Sequence, residues 1–243
     1  MNLIIDVGNT QTKIAVFNKN KLIFETAFKS SESAETIKDV LEHYPCSHAI
    51  VSSVTDKTIQ QILESYQFST LIDLTAATPV PFANEYSTPE TLGVDRIALA
   101  AAAYKEYPGH DTLIIDAGTC ITFDFINSKG KYMGGAIAPG LQMRYTSLNR
   151  NTAKLPLIDK DQIPENIIGD STENAILSGV YFGMIHEIEG AISHYKSLFE
   201  HLTVILTGGD MQILSKTLKN TIFANPKFLI RGLNHILEYN KHE

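Results

Sequence analysis

Two short segments of this chain repeat the same chemistry. Asp6-Val7-Gly8-Asn9-Thr10 follows the apolar run Leu3-Ile4-Ile5, and Asp116-Ala117-Gly118-Thr119 follows Leu113-Ile114-Ile115. A glycine in such a turn permits close approach to a ligand, neighbouring backbone N–H groups can converge on an anion, and Thr10 adds a hydroxyl donor. Lys13, just beyond the first turn, can reach the same phosphates as a point charge. Asp6 itself repels phosphate, so its job would be to hold the metal ion that neutralises phosphate, directly or through water. Either turn taken alone could be a plain hairpin; the duplication favours the phosphate-binding reading.

Two further segments fit beside these turns. Val204-Ile205-Leu206-Thr207-Gly208-Gly209-Asp210 is a strand followed by glycines, where backbone can lie flat against a nucleotide base or ribose, although a Gly-Gly pair is also common loop punctuation. Gly93-Val94-Asp95-Arg96 opens an alanine-rich stretch. An acid at a helix start answers the helix dipole, but an arginine there gains nothing from it, and an anionic ligand nearby would explain its presence.

Secondary structure must place these residues. The two repeats align without gaps over residues 3–8 and 113–118, which sets Thr12 opposite Thr122. Each copy reads as a strand, a turn and a returning strand (13–17 and 121–126), with a third strand at 22–28 and 132–138. Ser33 is positioned to cap a helix over 34–43; a strand at 49–51, a helix at 55–65, a strand at 71–74 and a helix at 93–104 follow. The second half repeats the plan with a long helix from 173 to about 199, a strand at 204–206, a helix at about 211–218 and a terminal helix near 228–239. The expected fold class is α/β, two β-β-β-α-β-α units covering residues 1–110 and 111–243. Residues 75–89 form the longest expected loop of the first half, and loops of that length often carry function. Gly179 and Gly183, one helical turn apart, suggest close packing of the long helix against another.

Composition narrows the class. At 44% hydrophobic residues the chain can fill a core, and a net charge of −7 without a basic run argues against nucleic acid as a partner. No basic leader with an apolar run opens the sequence, and no stretch of about twenty apolar residues follows, so neither export nor a membrane is expected. Cys46 and Cys120 sit in no metal or disulfide spacing, which points to a reducing cytoplasm. His186-Glu187 lacks the second histidine that a zinc-protease helix needs.

Asp6-Val7-Gly8-Asn9-Thr10, Gly93-Val94-Asp95-Arg96, Asp116-Ala117-Gly118-Thr119 and Ile168-Gly169-Asp170-Ser171-Thr172, in this order, resemble the motif set of the type III pantothenate kinases. The resemblance extends from Asp6 to Gly208-Gly209; Cys120 stands where the family more often has alanine. It implies two ribonuclease-H-like units of the actin-like ATPase and sugar kinase architecture, ATP bound between them, and phosphorylation of pantothenate at the start of coenzyme A synthesis. By position, Asp6, Val7, Gly8, Asn9, Thr10, Gln11, Thr12 and Lys13 would bind the phosphates of ATP with Mg2+, and Thr119 would also contact ATP. Asp116 would ligate a monovalent cation, K+ or NH4+. Gly93, Val94, Asp95 and Arg96 would contact pantothenate, with Asp95 accepting the proton of the attacking hydroxyl, and Tyr86 and Thr172 would complete the substrate contacts. The family is homodimeric, and the Gly179/Gly183 face is the candidate contact. Tyr86 has a competing reading as a loop aromatic covering the core, and Thr172 as part of a helix start with a capping box between Asp170 and Glu173. The rival functions are another small-molecule kinase of the superfamily and a non-enzymatic regulator of the Bvg accessory factor type.

Overall fold

A computed structural model describes residues 1–8, 11–29, 32–53 and 57–241. The chain packs as two compact units, one of Met1–Pro108, Gly130–Tyr132 and Lys227–Glu243, the other of Gly109–Lys129 and Met133–Pro226.

In the first unit, continuous apolar runs build β1 (Asn2–Val7) and β2 (Thr12–Asn18), an alternating pattern builds β3 (Lys21–Phe28), and β4 (His48–Ser53) and β5 (Thr70–Asp73) follow α1 (Ser33–His43) and α2 (Lys57–Glu64). The sheet order is β3-β2-β1-β4-β5, with β1–β3 antiparallel and β4 and β5 parallel to β1. Leu3, Ile5, Val7, Ile14, Val16, Ala49 and Val51 face one side and pack on Ile37 and Val40 of α1 and Ile59 and Leu63 of α2. Helix α1 begins at Ser33 itself, with Glu32 in the N-cap position, so Ser33 is not the cap that its type suggests. After a second short strand, β6 (Ala83–Asn84), and a single 3-10 turn at Pro89–Thr91 comes α3 (Val94–Glu106), whose alanines are buried.

In the second unit, β7 (Asp111–Ala117), β8 (Cys120–Ile126) and β9 (Lys131–Pro139) lead to α4 (Leu141–Arg150) and the long α5 (Thr172–Leu198), then β10 (Leu202–Thr207), α6 (Met211–Ser215) and β11 (Phe223–Ala224). The strand order is β11-β10-β7-β8-β9, and β6 pairs with Lys131 and Tyr132 at the start of β9, residues that pack with the first unit. Leu113, Ile115, Ala117, Ile121, Phe123, Val204 and Leu206 meet α5 through Ile176, Met184, Ile188 and Ile192. Helix α4 has no counterpart in the sequence reading. Only Leu141 and Tyr145 of it are buried, and its Ser, Thr and Asn residues are weak helix formers, so packing of that pair on the core holds it rather than propensity.

The terminal helix α7 (Phe228–Asn240) packs on α3 and on the β1/β4 side of the first sheet that α1 and α2 leave open. Gly232 lets it approach, because a Cβ there would collide with the carbonyl of Ala98. Asn2 Nδ2 donates to Asn234 Oδ1 at 2.7 Å and to Glu238 Oε1 at 2.6 Å, tying the first strand to the last helix.

Three local expectations change. The long helix begins at Thr172 with Ser171 as its cap, accepting from Asn174 N at 3.1 Å, while Asp170 accepts from Asn174 Nδ2; Asp170 and Glu173 do not form the expected box. Among the described residues nothing lies within 4 Å of a Cβ placed on Gly179 or Gly183, so the close helix packing expected there does not occur within the chain. Finally, the gapless alignment of the repeats does not survive in the sheets. Asp6 pairs with Lys13, whereas Asp116 pairs with Thr122. The first turn is one residue longer, and because side chains alternate in direction, one residue exchanges the two faces. Thr12 therefore points into the core while Thr122 stands in the place of Lys13.

Candidate active site

Asp6, next to last in β1, lies on the sheet face opposite the α1/α2 core, with Ser52 beside it on the parallel strand β4 and Lys13 on the antiparallel strand β2. Burial raises its carboxyl pKa from 3.8 to about 6; the Lys13 ammonium opposes that rise, the Asp95 charge adds to it and a hydrogen bond from Ser52 opposes it. Asp6 is thus a carboxylate held short of compensating charge, and Asp95 is near enough to be felt.

Asp95 lies in the first turn of α3, and its Oδ1 accepts from the backbone N–H of Arg96 at 2.9 Å. The carboxylate folds back over Gly93, where any Cβ would collide with Oδ1. The glycine is therefore needed to seat Asp95, whatever contact it makes with a substrate. Arg96 is only 4% exposed, and its guanidinium lies 5.6 Å from the centre of the Tyr86 ring. Tyr86 in turn leans on buried Tyr132, with ring centres 6.2 Å apart. The two readings of Tyr86 converge: it covers apolar structure and also holds the arginine at the helix start. Cation–π stacking on Tyr86 supplies part of the explanation that the sequence reading sought wholly in a ligand.

Around the first turn, Gly8 N donates to Gln11 O at 3.1 Å and Gln11 is exposed. Val7 and Thr12 turn their side chains into the core, where Thr12 Oγ1 has no hydrogen-bond partner among the described residues, so these two residues can offer a phosphate only backbone. Asn9 and Thr10 lie outside the described residues.

The second unit repeats the row. Asp116, next to last in β7, stands between Thr207 on the parallel strand β10 and Thr122 on the antiparallel strand β8. Gly208 follows with φ 95°, and a Cβ there would strike both Asp116 Oδ1 and the Ala117 carbonyl. Asp210 N donates to Ala117 O at 2.9 Å, so the Gly208-Gly209 turn is sewn against the Asp116 strand. Thr119 is exposed in the turn after Asp116, and Thr172 is exposed at the first residue of α5. The first unit therefore assembles Asp6, Lys13, Asp95, Arg96 and Tyr86, and the second assembles Asp116 with its threonines. Ser52 and Thr207 were missed in the sequence, although each ends a β-rich run, as the aspartates do.

Among the described residues no three His, Cys, Asp or Glu side chains form a metal cluster. Mg2+ is commonly held by one or two carboxylates together with substrate phosphates, and the buried Asp6 carboxylate fits that part. Asp116 lies in a row of hydroxyl and carboxylate oxygens, which suits a hard cation.

A family model for type III pantothenate kinase matches residues 2–194. The chain belongs to the type III pantothenate kinase family. Proteins of that name from Christiangramia forsetii and Flavobacterium johnsoniae are 51% and 46% identical to it, with 99% and 98% of both chains covered respectively. Among solved structures, a Baf family protein from Campylobacter jejuni, described as a transcriptional activator, matches with TM-score 0.60 and 22% identity over 99% of this chain and all of that one. A glucokinase from an Antarctic psychrotroph matches with TM-score 0.58 and 11% identity over 98% of this chain and 99% of its own. These likenesses bear on the fold, two tandem ribonuclease-H-like units of the actin-like ATPase and sugar kinase type. A member of the type III pantothenate kinase family is a phosphotransferase.

Proposed function

We propose that this chain transfers the terminal phosphoryl group of ATP to the primary hydroxyl of pantothenate, giving 4'-phosphopantothenate, the first step of coenzyme A synthesis. The observation that carries this reading is Asp95, seated over Gly93 at the start of α3 and close enough to Asp6 to raise its pKa. Phosphoryl transfer passes through a loose transition state, so positioning and charge neutralisation supply most of the acceleration. Asp95 aligns the hydroxyl and takes its proton late. With Oδ1 engaged by the Arg96 N–H, Oδ2 is the atom for that proton. Arg96, steadied by Tyr86, offers positive charge to the pantothenate carboxylate or amide, and Gly93 and Val94 bring backbone to the same substrate. Lys13 and the backbone of residues 6–13 hold the ATP phosphates, with Thr119 a further ATP contact and Thr172 a further pantothenate contact.

Mg2+ held by Asp6, and K+ or NH4+ held by Asp116, would supply positive charge against the phosphates. We place the enzyme in the cytoplasm, in keeping with its two free cysteines and its use of ATP; no helix of the described residues is long and apolar enough to cross a membrane. We also read it as a homodimer, and the open face of α5 at Gly179 and Gly183 suits a second copy. A non-enzymatic role is disfavoured by family membership together with the seated Asp95.

The test is a coupled assay of ADP release with and without pantothenate. Release that requires pantothenate and yields its phosphate ester supports the reading. Release that ignores pantothenate, or none at all from folded protein, refutes it.

A further inference from the structure

The two aspartate rows differ in one respect with a chemical consequence. In the first, Ser52, Asp6 and Lys13 stand side by side on three adjacent strands, so the row contains its own cation. In the second, Thr207, Asp116 and Thr122 stand in the same relation, and Thr122 occupies the place of the Lys13 ammonium. These side chains lie on the face away from the α5 core, since Leu206, Ala117, Ile121 and Phe123 face that core. Thr122 is 7% exposed and Thr207 3%, so neither hydroxyl can rely on bulk water.

Thr122 is also committed in one direction. Its Oγ1 donates to Oδ2 of Asp124 at 2.9 Å, two residues further along β8 on the same face, and Asp124 is fully buried. A threonine hydroxyl has one proton and two lone pairs. With the proton given to Asp124, Thr122 can present only lone pairs to its neighbour Asp116, whose Cβ in such a cross-strand pair stands about 5 Å away. The row then offers oxygen acceptors, a carboxylate beside it and a second carboxylate behind, with no lysine or arginine among its members. Gly208 closes the Asp116 side with backbone.

We propose that Thr122 is a ligand of the monovalent cation and that Asp124 is the positioning residue that fixes the hydroxyl as an acceptor. This rests on the reading that Asp116 holds such a cation. A bound K+ would stand where the first unit has an ammonium, and the one-residue difference between the turns is what exchanges the lysine for an oxygen ligand.

The test follows cation binding apart from turnover, as the rise in melting temperature of the full-length protein titrated with KCl against choline chloride at constant ionic strength. Thr122→Val, which keeps shape and removes the oxygen, should raise the K+ midpoint about tenfold or more, while Thr122→Ser should stay within about threefold of wild type. Asp124→Asn should shift the midpoint in the same direction as Thr122→Val, and the double variant should be no worse than Thr122→Val alone, because Asp124 acts through Thr122. Should Thr122→Val fail to fold, Thr122→Cys, with a soft and weak ligand atom, serves in its place. The proposal is overturned if wild type responds to K+, Asp116→Asn does not, and the Thr122 variant keeps the wild-type midpoint. It is also overturned if Asp124→Asn adds its full effect to that of Thr122→Val. A wild type indifferent to K+ in this assay would instead overturn the cation reading of Asp116, and this inference with it.

Discussion

Replacing Asp6 with Asn should stabilise the enzyme while disabling it. The Asp6 pKa is raised in the folded state from 3.8 to about 6, with burial the main cause. A carboxyl whose folded pKa lies above its unfolded value favours the fold while protonated. That contribution is fully present below pH 3.8 and is lost as pH rises through 6. A rise of about two units at 1.36 kcal/mol per unit sets a ceiling of about 3 kcal/mol on the cost of ionised Asp6 above pH 6. Asn keeps the shape of the protonated acid and never ionises. Asp6→Asn and wild type should therefore be about equally stable near pH 4 and diverge across the interval from 4 to 6. Above it the variant should lead by about 2–3 kcal/mol, on the order of 5–10 °C in melting temperature for a chain of this size. Thermal melts of both proteins at several pH values, without nucleotide or magnesium, measure this directly. Addition of magnesium and ATP should reverse the order, since wild type gains the free energy of ligand binding and the variant should not. A gap that is absent at pH 8, or equal at pH 4 and pH 8, would refute the assignment of Asp6 as a carboxylate strained by burial and kept for a cation.

Other outcomes follow from the same geometry. Asp95→Asn removes the proton acceptor but keeps the shape, so turnover should fall by about 10²-fold or more with ATP binding preserved; near-normal turnover would show that another group takes the proton. Gly93→Ala pushes a Cβ into Asp95 Oδ1 and should lower kcat about tenfold or more with little change in ATP affinity, and an unaffected kcat would mean that the seat over Gly93 is incidental. Arg96→Ala should raise the pantothenate KM well beyond any change in the ATP KM, and equal changes in both would assign Arg96 to the nucleotide or to the fold. Activity at saturating magnesium should require K+ or NH4+, with Na+ a poor substitute, and Asp116→Asn should blunt that response; full activity in sodium-only buffer would exclude a site for the larger ion.

The fold was largely legible because the strands are strongly apolar and β-branched, and because Asp-x-Gly occurs twice at the ends of such strands. What escaped was set by neighbours distant in sequence. Helix α4 carries only Leu141 and Tyr145 as buried positions, too few to announce a period. The equivalence of Thr12 with Thr122 failed because turn length decides which face a returning strand presents, and a gapless match is blind to that. In the candidate site, Asp95 and Arg96 could be named from the motif and Tyr86 from the family resemblance, but their mutual support could not. Seating Asp95 over Gly93 and laying Arg96 on Tyr86 depend on how residues 75–92 return to the start of α3. Ser52 and Thr207 were missed because nothing in a lone serine or threonine at a strand end says which aspartate will stand beside it.

The packing of α7 bears on the order in which the protein can be made. Asn2 is synthesised well before Asn234 and Glu238, which accept from its amide, and Lys241, whose Nζ donates to its Oδ1 at 2.5 Å. The sheet that carries Asp6 and Lys13 must therefore wait, with part of one face open, until α7 has been made. A nascent chain in that state lacks the apolar face of α7 against β1 and β4, and exposed apolar surface of this kind is prone to aggregate. Loss of α7 would leave the strands that carry Asp6 and Lys13 without the helix that covers them, so the integrity of α7 bears on the candidate site.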